Sequence, residues 1–190
     1  MATEPRLSGA ILTDQIAVMR ARFGSPLVDR AVESLSFDDQ HEVRSLTSIG
    51  WTTAALACRL KTAVAHEAKL EPLELQRWVV QEGVRKTING VWKLVARLVS
   101  DDQLIKRSPL LYSKTFDRGV MTVTVPRSGQ AIAQIVGWPG IPEFDIVGLL
   151  AGIEAVFASF DRPRTRGTFE RTADGVTFRI EWDTAARKSG

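Results

Sequence analysis

The sequence predicts an α+β fold: a helical N-terminal half followed by a β-β-α-β-β unit whose four strands form one antiparallel sheet. Three observations carry this expectation. Apolar residues recur at helical spacing through the first half of the chain. From Val120 onward the pattern switches to alternation, in two pairs of short segments. Between those pairs, Phe144 to Phe160 is almost entirely apolar yet too short to span a bilayer.

The bulk numbers bound the problem further. A chain of 190 residues with 44% apolar content can bury a real core, and the reading is one domain over 9–183 with flexible tails at 1–8 and 184–190. Net charge is +3, with 25 basic and 22 acidic side chains mixed along the chain. That balance argues against a dedicated nucleic-acid binder. The one cysteine, Cys58, excludes an intrachain disulfide and a cysteine-based zinc cluster. No apolar run approaches the roughly 18 residues of a membrane span, so the expected location is cytoplasmic.

In the first half, Ile11, Leu12, Ile16, Val18 and Met19 mark an amphipathic helix that Phe23-Gly24-Ser25-Pro26 closes. Leu27, Val28, Ala31, Val32 and Leu35 make a second, and Ser36-Phe37-Asp38-Asp39 caps a short turn containing His41. Trp51 to Leu70 reads as a third long helix, its alanines permitting close packing. The clearest helix follows Pro72. Val84, Ile88, Val91, Trp92, Val95, Leu98 and Val99 fall within about 120° of arc at 100° per residue. Lys86, Lys93 and Arg97 form a basic stripe opposite, either a solvated face or a surface for an acidic partner. Ser100-Asp101-Asp102 then caps a short helix, Gln103 to Arg107, which Pro109 stops.

In the second half, Val120 to Val125 and Ala131 to Val136 form a hairpin around Pro126-Arg127-Ser128-Gly129. Pro142, Glu143 and Asp145 suit the start of a helix. That helix, Phe144 to Phe160, has two faces. Ile146, Leu149, Leu150, Ile153, Val156, Phe157 and Phe160 make a bulky one; Gly148, Ala151, Gly152 and Ala155 make a small one. It should therefore lie between the sheet and the N-terminal helices. Arg164 to Arg171 and Val176 to Trp182 form the second hairpin about Asp174-Gly175.

Several short stretches resemble known families. Gly9-Ala10-Ile11-Leu12 with Arg22-Phe23-Gly24 resembles the opening of heme nitric-oxide/oxygen-binding (H-NOX) domains and their heme-free relatives. Leu104 to Tyr112 continuing to Asp117-Arg118-Gly119, with Gly50-Trp51 and Thr177 to Trp182, resembles a myxobacterial paralogous family of unknown function. That family is similar to vinyl-reductase-type sensor domains and, more distantly, to Bet3-like subunits of vesicle-tethering complexes. The resemblance covers roughly residues 8–183 and implies an H-NOX-like fold, of the type used in ligand binding for NO signalling and Golgi transport. It does not carry the heme ligands across. Tyr112-Ser113-Lys114-Thr115-Phe116 lacks the family's Tyr-x-Ser-x-Arg spacing and its arginine, and no histidine follows His66. No cofactor is expected.

No catalytic motif stands out. His41 and His66, without spaced partners, read as surface histidines rather than metal ligands. Cys58 reads as a small buried hydrophobe. Glu154, the one charge between Asp145 and Asp161, is either a perturbed acid in a pocket or a partner for an arginine or solvent. Gly83 and Gly90 suggest a close helix crossing rather than a phosphate site, and Arg162, Arg164 and Arg166 suggest solvated edge-strand charge. Trp92 and Trp182 belong to the core, while Trp51, Trp78 and Trp138 line or plug a cavity.

These readings make the chain a non-enzymatic regulatory domain that binds a small apolar or amphiphilic ligand between helices and sheet, with Trp92, Val95, Leu150, Glu154 and Phe157 as candidate pocket wall. The alternative is a protein-interaction or scaffold module, possible as a homo-oligomer or small-GTPase regulator, with Lys86, Lys93 and Arg97 as candidate partner surface. The analogy behind that alternative rests on fold alone.

Overall fold

The computed structural model describes residues 4–89, 101–159, 162 and 164–184. Among them the chain runs through seven helices, a two-stranded ribbon and a four-stranded antiparallel sheet. The expected α+β order is present.

The ribbon pairs β1 (Arg6–Ser8) with β2 (Trp51–Thr53), antiparallel, Leu7 opposite Thr52. Two expectations are corrected here. Residues 6–8 are a strand rather than part of a tail, because Leu7 is buried in the helical core. Trp51 is likewise in a strand and not in a helix. β-branched Thr52 and Thr53 favour extended backbone, and Thr53 Oγ1 caps the next helix by accepting from Leu56 N at 3.0 Å.

Helix α1 (Gly9–Phe23) leaves β1 directly and ends at Gly24, whose φ of 83° suits glycine. Helices α2 (Ser25–Glu33) and α3 (Phe37–Ser45) follow, the latter capped by Ser36. Helix α4 (Ala54–Ala68) and helix α5 (Pro72–Asn89) complete this half. Leu12, Met19, Val28, Leu60, Val64, Leu75 and Val79 form its core.

Helix α6 (Asp101–Thr115) contains Pro109 instead of stopping before it. The missing Pro109 N–H forfeits one helical bond, but tertiary packing beyond it holds the last turns. Tyr112 is buried, stacks on Phe116 at 5.7 Å and donates its hydroxyl to Arg118 O at 2.6 Å. Positions 90–100 lie outside the described residues, and with them Gly90, Trp92, Lys93, Val95 and Arg97.

The sheet orders β3 (Val120–Arg127), β4 (Gln130–Val136), β6 (Gly175–Glu181) and β5 (Arg166–Thr172) as β3-β4-β6-β5. Ala131, Ala133, Ile135, Val176, Phe178 and Ile180 alternate onto its buried face. Helix α7 (Glu143–Ser159) has the expected two faces. Ile146, Leu149, Leu150 and Phe157 join the sheet core. On the other face, a Cβ on Gly148 would stand 2.2 Å from Gln76 Nε2, and one on Gly152 would touch Val80 at 3.5 Å. Close approach of α7 to α5 therefore uses these two glycines. Gly83 has no described atom within 4 Å of an added Cβ, so among the described residues no close crossing is made at it, and Gly90 lies outside them.

Candidate functional site: a buried polar cluster between the two halves

Four polar side chains from four helices converge where the helical half meets α7. Helix α4 buries a stripe of Ala57, Leu60, Lys61, Val64 and Ala65. Lys61 shares that stripe, so its ammonium is carried inside, 2% exposed. Gln15 lies on the buried stripe of α1 between Leu12 and Met19, and its Oε1 accepts from Lys61 Nζ at 3.1 Å. Helix α7 presents Phe144, whose ring centre is 5.2 Å from Nζ, and Asp145, which is buried too. Gln76 of α5 donates from Nε2 to Phe144 O at 3.2 Å, while its buried Oε1 has no hydrogen-bond partner among the described residues.

Burial dominates the electrostatics. It pushes the Lys61 ammonium down to about 8, with Asp145 and Cys58 acting in the opposite direction. It pushes the Asp145 carboxyl up to about 6, against the pull of the Lys61 charge. The two act on each other through space, with no ion-pair contact between them. Burial also raises the Cys58 thiol, one turn before Lys61, and holds the Tyr112 phenol well above its usual range. The arrangement can donate hydrogen bonds from an ammonium, exchange a proton at Asp145 and stack on an aromatic ring.

The sequence reading missed Lys61, Gln15 and Gln76 as functional candidates, and placed Asp145 only as a charge for the helix terminus. The available signal was a polar residue inside an apolar stripe, Lys61 four residues from both Ala57 and Ala65.

The other candidate residues are distributed differently. Glu154, 6% exposed, accepts from Arg77 on α5 through Oε2 and from Gly167 N through Oε1 at 2.8 Å. It ties α7 to α5 and β5. Leu150 and Phe157 lie in the sheet core, Leu150 against Gly167. Lys86 is exposed on α5. Arg162 is not solvated edge charge: it is buried with its guanidinium 5.5 Å from the Phe157 ring and 5.6 Å from that of Trp182. His41 and His66 are exposed, and Cys58 is half-buried. Trp138 is fully buried against Phe116 at 5.4 Å, as a plug. Among the described residues no group of His, Cys, Asp or Glu could hold a metal ion, and no helix is long and apolar enough to cross a membrane.

A separate open cleft of about 470 Å³ lies between α1, α2 and α3, lined by Ile16, Val32, Val43 and Leu46 with Arg20, Asp29, Glu33 and Arg44 among the charged groups around it.

No protein-family model matches the chain, and no curated protein does. Solved structures do. The Fe(II) unliganded H-NOX protein from K. algicida superposes with a TM-score of 0.67 at 13% identity, covering 95% of this chain and 98% of that one. A variant of the T. tengcongensis H-NOX domain gives 0.64 at 12%, over 95% and 100%. A doubly substituted Tt H-NOX gives 0.69 at 14%, over 97% and 99%.

The fold implies heme, so the buried groups must be tested against it. Heme iron takes an imidazole, thiolate, thioether or phenolate. Here both histidines are on the surface, Met19 and Met121 are packed in the two separate apolar cores, burial disfavours the Cys58 thiolate and the Tyr112 phenolate, and the Tyr112 hydroxyl is engaged by a backbone carbonyl. Positions 90–100 contain no His, Cys, Met or Tyr. These residues do not fit a heme iron. What the superpositions establish is architecture: the chain has an H-NOX-like fold.

Proposed function

We propose that this chain is a heme-free regulatory domain, not an enzyme, that takes a small apolar or amphiphilic ligand between its helical half and its sheet. The observation that carries this reading is the buried cluster of Lys61, Gln15, Gln76 and Asp145. A buried ammonium and carboxyl that make no ion pair cost stability, and sites kept at such a cost are characteristically functional. Ligand sites also favour apolar walls with a few convergent polar groups. The start of α7, with Phe144 and Asp145, would meet the polar end of such a ligand.

Native mass spectrometry of the purified protein with an absorbance scan tests the reading. The expected result is a protein without a Soret band that carries or accepts one small organic ligand. Stoichiometric iron with a Soret band overturns the heme-free part.

One observation favours the interaction-module alternative. Val120 and Val136 are cross-strand partners on the sheet's outer face, 61% and 48% exposed, and α6 beside β3 exposes Leu110 and Leu111. Such a surface suits a protein partner or a second copy. Light scattering coupled to size-exclusion chromatography decides it: a dimer that Val136→Lys converts to monomer supports it, and a strict monomer speaks against self-association.

A further inference from the structure

Lys61 carries three N–H donors, and among the described residues one side chain accepts from it. Gln15 Oε1 takes a hydrogen bond at 3.1 Å, and the Phe144 ring offers its face at 5.2 Å. Among the described residues no carboxylate comes within ion-pair distance, although Asp145 is buried in the same cluster and Cys58 lies one turn away on α4. A lysine this enclosed normally meets a carboxylate directly or is replaced by an apolar residue, which would stabilise the fold at lower cost. Among the described residues Gln15 alone accepts from Lys61, which leaves ammonium N–H groups able to meet an anion.

We propose that Lys61, with Gln15 beside it and the Phe144 ring across from it, is the recognition point for the acidic head of an amphiphilic monocarboxylate. This rests on the reading that a small ligand enters between the helical half and the sheet. The carboxylate accepts from the remaining Lys61 N–H groups at a direct contact that Asp145, acting on Lys61 only through space, does not make. Charge-assisted bonds of this kind are the strong ones in a low-dielectric setting. A second carboxylate beside Asp145 disfavours two negative charges around one ammonium. Asp145 accordingly takes up a proton from solvent as the ligand binds, and the site keeps one positive and one negative charge. Among the described residues, the groups that face Lys61 are Gln15 from α1, Cys58 from α4, and Phe144 and Asp145 from α7; Tyr112 is coupled to Asp145 more remotely.

Octanoate, octanol and octylamine share one apolar body and differ in the head, so they serve as probes. Isothermal titration calorimetry and native mass spectrometry are run on the full chain, wild type and Lys61→Met, at pH 7 in two buffers of different ionisation enthalpy. The expected result is one octanoate per chain, bound at least about tenfold more tightly than octanol, with net proton uptake in wild type. Lys61→Met should keep its fold, lose at least about tenfold in octanoate affinity and bind octanol as well as before. Lys61→Gln, which keeps a donor of similar size without the charge, should fall between them. Equal binding of octanoate and octanol by wild type, tighter octylamine, or octanoate binding that neither variant weakens overturns the acid-recognition proposal while leaving a ligand site in place. Absence of binding by all three probes overturns the ligand reading itself.

Discussion

Lys61 and Asp145 pull the protein's pH dependence in opposite directions. Lys61 is held at about 8 against an ordinary 10.5. Between those values the unfolded chain binds more protons, so stability rises with pH through that window. Asp145 is held at about 6 against an ordinary 3.8. There the folded chain binds more protons, so stability falls as pH climbs from 3.8 to about 6. Each flank amounts to about 3 kcal/mol. The pair therefore contributes a stability minimum between pH 6 and 8, where both groups are charged. Denaturant titrations from pH 4 to 10 should show it, and Asp145→Asn should flatten the acid flank. At pH 5, where Asp145 is largely neutral, Lys61→Met should stabilise the fold by about 2 kcal/mol; a loss of stability there would mean the ammonium is not desolvated. Glu154 differs in its contacts, since both its oxygens are answered, by Arg77 and by Gly167 N. Glu154→Ala should cost about 2–3 kcal/mol in the same titrations.

Among the elements, the β1–α1 junction is the least tolerant of change. Gly9 N donates to Gly50 O at 2.8 Å, and a Cβ on Gly9 would stand 2.2 Å from Thr47 O. That neighbour is backbone and cannot swing aside as a side chain would. Gly9→Ala should therefore separate the ribbon from the loop before it and lower stability by about 2–3 kcal/mol in thermal or chemical unfolding. Gly152→Ala is the control on α7, since its Cβ would make an ordinary contact with Val80. It should be close to neutral, or slightly stabilising through helix propensity. Equal damage from both substitutions would show that helix α7, not the ribbon, limits the fold.

For the whole molecule, the basic stripe tests how the chain presents itself to partners. Lys86 is exposed on α5, and Lys93 and Arg97 complete the stripe in sequence. Replacing all three with glutamate should change stability by under about 0.5 kcal/mol per site, measured by thermal unfolding. Collapse of the fold would mean that some of these side chains are buried. If an acidic partner docks there, its affinity in a salt series should fall with ionic strength for wild type and be lost in the triple variant.

The sequence by itself determined the order of elements, the strand alternation and the two-faced character of α7, because each follows from local periodicity. Val176, Phe178 and Ile180 could face the core only from a strand, and Gly148 and Gly152 could meet another helix only from one side of theirs. Local reading misplaced Trp51 and Pro109, where pairing with β1 and the anchoring of Tyr112 override propensity. The candidate site was illegible in sequence for a different reason. Lys61, Gln15, Gln76 and Asp145 come from α4, α1, α5 and α7, and nothing in their spacing announces that they converge. Only the packing of α7 across the helical half decided that a lysine would be buried against an aspartate without touching it, since burial is a property of the assembled layers and not of any one helix.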